Sequence, residues 1–155
     1  MQTSTTIKKF SLRVYGVVID KQNCILISDE LIKGRDISKF PGGAVEFGEG
    51  IREALVREFL EETQTPVEVL EHIYTTDFFV QSTFSAESQV IAVYYRVEPL
   101  QPFKFSPKDI PFQYDETHEG GLQAFRWVPL SKLHPKDMTF ITEQKVITIL
   151  QNQHL

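Results

Sequence analysis

The sequence contains a single cysteine, Cys24, among 155 residues. A lone cysteine excludes an internal disulfide and any cysteine-rich zinc centre. Its place in the apolar run Cys24-Ile25-Leu26-Ile27 reads as a small buried side chain rather than a nucleophile. No apolar run approaches the roughly 18 residues that a membrane-spanning helix needs. Positive charge is not in excess either: 16 Lys and Arg stand against 21 Asp and Glu, a formal net charge of -5. Binding of a nucleic acid polymer rests on clustered cations, so that class of partner is not expected. Residues 1–9 are polar and lack the apolar centre of a signal peptide, which makes the cytoplasm the expected location and a membrane an unexpected partner. His72, His134 and His154 form no metal-ligand spacing, and there is no internal repeat, low-complexity tract or linker.

What the chain does have suits one globular domain over residues 1–155, with about 1–9 as a flexible lead-in. Hydrophobic residues make up 41%, and 12 Phe and 5 Tyr leave rings to spare for a ligand cavity once a core is built. Leu12 to Asp20 and Cys24 to Ser28 read as strands around the polar turn Lys21-Gln22-Asn23. Asp29 to Ser38 reads as a charged loop, and Lys39 to Val45 as a short extended piece turning at Phe40-Pro41-Gly42-Gly43. A helix is expected from Gly50 to Thr63, stopped by Pro66. Val67 to Gln81 reads as one long strand or two joined by a kink, Gln89 to Val97 and Gln123 to Val128 as further strands. Glu98 to Gly121, holding Pro99, Pro102, Pro107 and Pro111, reads as a long loop, and such loops often carry function. Ile141, Val146, Ile149 and Leu150 suit a C-terminal helix over Thr139 to Gln151. This order implies an α+β fold with a mixed β-sheet and helices packed on it.

The chemistry concentrates in the first helix and the loop before it. Glu58 and Glu62 lie four residues apart, hence on one helix face, and Glu61 is one step of about 100° round from Glu62. Like charges so placed repel, and partial burial makes the ionised forms costlier still. A divalent cation reverses both penalties, and clustered oxygen ligands suit Mg²⁺ or Mn²⁺. A solvated acidic face with Arg52 and Arg57 as ion-pair partners is the plain alternative for a generic helix. The preceding Pro41-Gly42-Gly43, Glu46 and Gly48-Glu49-Gly50 favour the cation: paired glycines expose a carbonyl where a side chain would clash. Glu49 is placed to accept a hydrogen bond from Arg57, which would pin the loop to the helix.

Gly43, Glu49 and Arg57-Glu58-Phe59-Leu60-Glu61-Glu62-Thr63 resemble the signature of the Nudix (MutT-like) hydrolases, with every charged position matched at the right spacing. Pro41-Gly42-Gly43-Ala44-Val45-Glu46 and Phe125-Arg126-Trp127-Val128-Pro129-Leu130 also resemble that family. Two positions depart: Gln64 stands where the family has Gly, and Thr65 where it has an aliphatic residue. A helix end in left-handed conformation prefers Gly, so Gln64 implies a cost of about 1 kcal/mol or an altered exit from the helix.

The resemblance implies a Nudix-like α/β/α sandwich and a metal-dependent pyrophosphohydrolase cleaving a diphosphate bond in a nucleotide-linked or related small molecule. Glu58, Glu61 and Glu62 with the Gly42 carbonyl would hold Mg²⁺ or Mn²⁺. Gly43 and Glu49 would be structural, and Arg57 would orient Glu58 or Glu49. The general base would be a carboxylate of this set, such as Glu58 or Glu61, or an acid of the later loop, Glu116 or Glu119 ahead of Asp115, with His118 an exposed bystander. Lys39, Arg35 or Lys33 would meet a substrate phosphate, and Phe79, Phe78 or Phe84 would stack on a base. Homodimers are common among relatives. A fold that kept nucleotide binding but lost turnover is the alternative to an active enzyme, and the short motifs after the signature do not name a substrate.

Overall fold

The computed structural model describes residues 6–114, 117–118 and 121–153. In chain order the elements are β1 (Lys9–Val17), β2 (Cys24–Ile32), β3 (Arg35–Lys39), β4 (Gly42–Ala44), α1 (Ile51–Thr63), β5 (Val67–Thr75), β6 (Ser88–Pro99), β7 (Thr117–His118), β8 (Gly121–Pro129) and α2 (Ile141–Gln153). They form two four-stranded sheets, ordered β4-β1-β6-β5 and β3-β2-β8-β7. The first is mixed, because β1 and β6 run parallel while its other pairs are antiparallel. The second is antiparallel throughout.

Side-chain alternation along the central strands decides where each helix packs. Val14 and Val18 of the β1 region, Leu26 of β2, and Val93 and Val97 of β6 join Ala54, Leu55 and Phe59 of α1 in one core cluster. Their neighbours Tyr15, Val17, Ile25, Ile27, Ala92 and Tyr94 join Val146, Ile147 and Leu150 of α2 in the other. Both faces of these strands are therefore covered, which is why they read as continuous apolar runs. The helices lie on opposite sides of the sheets, the α/β/α sandwich that the family resemblance implied. Among the described residues no helix is long and apolar enough to cross a membrane.

Several expected boundaries move, each for a physical reason. Asp29 to Ser38 is a hairpin, not a loop: β2 continues to Ile32 and β3 returns from Arg35. Lys33 and Gly34 both have positive φ (50° and 78°), as primed two-residue hairpin turns require. The strand was hidden because Ser28, Asp29 and Glu30 are polar yet shielded. Asp29 is fully buried, paired with the Arg126 guanidinium (Nη2 to Oδ1 2.9 Å) and accepting from the Ser38 hydroxyl at 2.7 Å. Downstream, β5 stops at Thr75 after two register irregularities, and only a single bridge, Gln81 to Gln89, continues the pairing. The proline-rich loop is ordered by its rings, with Phe105 stacked on Phe125 at 4.5 Å and Phe103 on Phe105 at 5.0 Å. In α2, Val146, Ile147 and Leu150 are buried, whereas Ile141, expected in the apolar stripe, is exposed.

Two helix features connect fold to site. Helix α1 begins at Gly50, whose N–H donates to Glu53 Oε1 at 2.6 Å, and ends at Gln64 with φ 56° and ψ 28°. The left-handed exit that favours Gly is thus kept with Gln in place, and the Gln64 N–H still donates to the Leu60 carbonyl at 2.9 Å. On α2, buried Glu143 accepts the Phe40 N–H at 2.9 Å, tying that helix to the loop ahead of β4. Its second oxygen, Oε1, is the one buried side-chain polar atom without a partner among the described residues. Burial pushes the Glu143 carboxyl up to about 8, against the opposing pull of the Phe40 N–H.

Gln64→Gly should stabilise the fold by about 0.5–1 kcal/mol, read as a higher urea midpoint, because glycine removes the left-handed penalty while adding some chain entropy. For Glu143 the folded state binds its proton more tightly than the unfolded chain, so stability is full below the unfolded value and is lost as pH rises towards 8. Urea unfolding in chelator should therefore show wild type losing on the order of 2 kcal/mol more than Glu143→Gln between pH 5 and 8.5. Parallel pH profiles for the two proteins would refute this.

Candidate active site

The site forms where β4 passes the face of α1. Strand β4 pairs with β1 so that Gly42 lies opposite Tyr15 and Gly43 opposite Val14. Gly42 has φ 145°, and a Cβ there would sit 2.2 Å from the Val14 carbonyl oxygen. A Cβ at Gly43 would fall 2.6 Å from Glu58 Oε2. Glycine at 42 lets this strand lie against the β1 backbone, and glycine at 43 leaves the Glu58 carboxylate where it is.

Arg57 binds the loop to the helix. It grips Glu49 with two nitrogens (Nε to Oε2 2.5 Å, Nη2 to Oε1 3.0 Å) and donates to the Ala44 carbonyl at 3.0 Å. Its remaining nitrogen, Nη1, reaches Glu58 at 3.1 Å and Glu61 at 3.3 Å. Hydrogen bonding to Arg57 lowers the Glu49 carboxyl below its ordinary value. Arg57 thus contacts both expected partners, Glu49 and Glu58, and Glu61 as well.

Glu62 is held from two sides. Its Oε1 accepts Gln123 Nε2 at 2.8 Å, and its Oε2 accepts the Gly42 N–H at 3.3 Å. Burial pushes its carboxyl up to about 8; Lys39 opposes this and Glu30 adds to it. The Gln123 amide also donates to Ser28 Oγ at 2.9 Å and to Glu30 Oε2 at 3.2 Å. Glu30 and Gln123 face each other directly across β2 and β8. Glu30, Gln123 and Arg13 were not singled out from sequence. The available signal was alternation: Leu26, Ser28 and Glu30 share one face of β2, which runs from the α1 core out to the acids.

These residues line a cleft of about 660 Å³ in which Glu58, Glu61 and Glu62 face Gly42, Glu30 and Lys39. Carboxylates and a carbonyl are hard oxygen donors of the kind Mg²⁺ and Mn²⁺ take. The space that a side chain at position 43 would fill is occupied by a carboxylate, and Glu62 is a shielded acid whose charge a divalent cation would stabilise. The donor set therefore fits such an ion. In this state Glu58 and Glu61 are turned onto Arg57, and among the described residues no three His, Cys, Asp or Glu side chains converge as an ion cage.

The residues expected to meet substrate are placed differently from one another. Lys39 is buried, with Nζ 2.9 Å from Glu30 Oε2, donating to the Phe40 carbonyl at 3.2 Å and the Gly42 carbonyl at 3.5 Å, and lying 5.2 Å from the Tyr15 ring centre. It faces the acids, not solvent, and its neighbours Glu30 and Glu62 raise its ammonium well above the ordinary lysine range despite burial. Arg35 and Phe79 are exposed and line neither the cleft nor the cavity beside it. That cavity, about 280 Å³ and mostly apolar, is lined by Tyr15, Lys33, Phe84, Tyr94 and Phe140. It shares Arg13, Ile32 and Lys39 with the acid cleft, so the two adjoin. Lys33 Nζ lies 5.7 Å from the Phe84 ring centre at the edge of this cavity. Asp115, Glu116, Glu119 and the His118 side chain lie outside the described residues.

Comparison with known proteins agrees with this geometry. The model of the NUDIX domain matches residues 9–148. The fold is shared with the solution structure of the E. coli ORF135 protein (TM-score 0.69, 17% identity, covering 94% of this chain and 91% of that one). It is shared equally with the MutT protein of Methanosarcina mazei Go1 (TM-score 0.67, 19% identity, 95% and 96%). A Streptococcus suis protein described as an ADP-ribose pyrophosphatase aligns at TM-score 0.57 and 14% identity over 93% and 91%. No curated protein matches the chain in sequence. With the family model covering nearly the whole fold and the three signature acids of α1 lining one cleft, the chain belongs to the NUDIX domain family.

Proposed function

We propose that this Nudix pyrophosphohydrolase cleaves the diphosphate link of a nucleotide-like small molecule with Mg²⁺ or Mn²⁺ bound in the acid cleft. The observation that carries this reading is the adjoining of two environments: a cleft of carboxylates suited to a cation-bound diphosphate, and an aromatic cavity suited to a flat organic moiety. Glu58, Glu61 and Glu62, with the Gly42 carbonyl, would hold the ion. Bound there, a divalent cation neutralises phosphate charge and acidifies a water.

The chain's own groups supply the rest. Arg57 fixes the directions of Glu58 and Glu61 and ties them to the loop through Glu49. Gln123 and the Gly42 N–H fix Glu62. Glu58 or Glu61, or Glu116 or Glu119 of the later loop, would take the proton of the attacking water. Arg13, at the boundary of cleft and cavity, is placed to meet a phosphate oxygen. Phe84, one of the three rings expected to stack on a base, would receive the organic moiety, and Lys33, one of the three cations expected to meet a phosphate, stands beside it. The Gln64 departure gives no support to a turnover-dead module, since the helix carrying the acids keeps its usual exit.

A panel of nucleoside triphosphates, nucleotide sugars, dinucleoside polyphosphates and non-nucleotide diphosphates with each metal tests this reading. Glu62→Gln should lower kcat by about 100-fold or more on any compound that wild type cleaves, at unchanged fold. Phe84→Ala should raise KM several-fold with kcat within about twofold, because it removes binding contacts shared by ground and transition states. Full activity of Glu62→Gln would remove the acid cleft from the reaction. An unchanged KM for Phe84→Ala would remove the cavity from substrate binding.

A further inference from the structure

Lys39 presents an arrangement that a substrate contact does not explain. A lysine is among the side chains least often buried unless it is paired. Here it points into a crowd of oxygens: Glu30 at 2.9 Å, the Phe40 carbonyl at 3.2 Å and the Gly42 carbonyl at 3.5 Å. Three donor hydrogens meet three acceptors, and the Tyr15 ring adds its negative face at 5.2 Å. Glu62 lies across the same cleft, and it is linked to Glu30 through the Gln123 amide, which donates to both. The register explains the placement. Lys39 lies opposite Ser28 on β2, so its side chain shares the face on which Ser28 and Glu30 approach the acids.

We infer that Lys39 is a resident cation of the acid cleft, a positioning residue that sets how tightly the chain takes up a divalent ion. This rests on the metal-binding reading proposed above. One positive charge fixed among Glu30, Glu62 and the Gly42 carbonyl neutralises part of the anionic field before any divalent ion arrives. It also holds the Gly42 carbonyl and the Glu30 carboxylate in place in the metal-free protein. The cost is electrostatic: the ammonium repels a divalent ion bound to the neighbouring oxygens. Lys39 and Glu30 therefore act as an opposed pair, the first weakening and the second strengthening uptake of the ion.

Mn²⁺ titration at fixed pH, read by the loss of the free-ion paramagnetic resonance signal, tests this without any substrate. Lys39→Met should tighten the Mn²⁺ Kd by about tenfold or more, since a unit charge within a few ångströms in a shielded cleft is worth at least that much. Glu30→Gln should weaken it by a similar factor, and the double variant should return to within about threefold of wild type. If Lys39→Met does not fold alone, Glu30→Gln and the double variant still decide the matter. A double variant as weak as Glu30→Gln shows that Lys39 has no opposing effect and overturns the inference. A folded Lys39→Met whose affinity is unchanged or weaker also overturns it. Glu58→Gln separates this from the parent reading. If wild-type Mn²⁺ binding survives that change intact, the ion is not in this cleft and the metal assignment itself fails.

Discussion

Glu30, Glu58, Glu61 and Glu62 are brought to one cleft, and their mutual repulsion is the constraint around which the site is built. Two cations contain it from opposite sides. Arg57, partly open to solvent, takes Glu58 and Glu61 together with the loop acid Glu49. Lys39, buried, takes Glu30 and faces Glu62. Neutral donors complete the arrangement, with the Gln123 amide and the Gly42 N–H directed at Glu62. Acids left only partly neutralised, and held rather than free, are the arrangement on which the proposed binding of a further cation rests.

The fold exists to bring these groups together from distant stretches of chain. Helix α1 contributes the acids, β4 the glycines, β2 and β3 the Glu30–Lys39 pair, and β8 the amide. The strand residues arrive through pairing registers, so a shift of one residue in β2 or β8 would turn Glu30 or Gln123 away from the cleft. The buried Asp29–Arg126 pair, which also receives the Ser38 hydroxyl, links β2, β8 and β3 at that level. On the other side, Glu143 holds the Phe40 N–H and so connects α2 to the approach of Gly42. Both helices thus support the same short loop from opposite faces of the sandwich.

Local rules made much of this legible from sequence alone. The helix from Gly50 to Thr63, the carboxylate face on it, the glycine turn before it and the Arg57–Glu49 clasp all follow from spacings of a few residues, where backbone geometry is nearly invariant. The exit at position 64 was not legible in the same way: Gln there left open either a strained left-handed end or an altered one, and the structure keeps the left-handed end. The apolar runs of β1, β2 and β6 announced buried strands, although they could not say that each strand serves two separate cores.

Tertiary structure alone decided what depends on partners far along the chain. Asp29 and Glu30 read as loop because polar residues are rarely shielded, yet Arg126, Gln123 and Lys39 supply the partners that make their burial affordable. Lys39 and Arg35 looked equivalent as surface cations. Strand register sent one into the acid cluster and left the other at an exposed hairpin. Phe79 and Phe84 were likewise indistinguishable by composition, and only the path of the chain after β5 set Phe84 at the cavity. Sequence by itself determined the chemistry of the helix and its loop, because those contacts span a single helical turn or two. The second half of the site required the fold, because strand pairing and helix packing bring together residues about 60 to 100 positions apart and no local periodicity encodes which will meet.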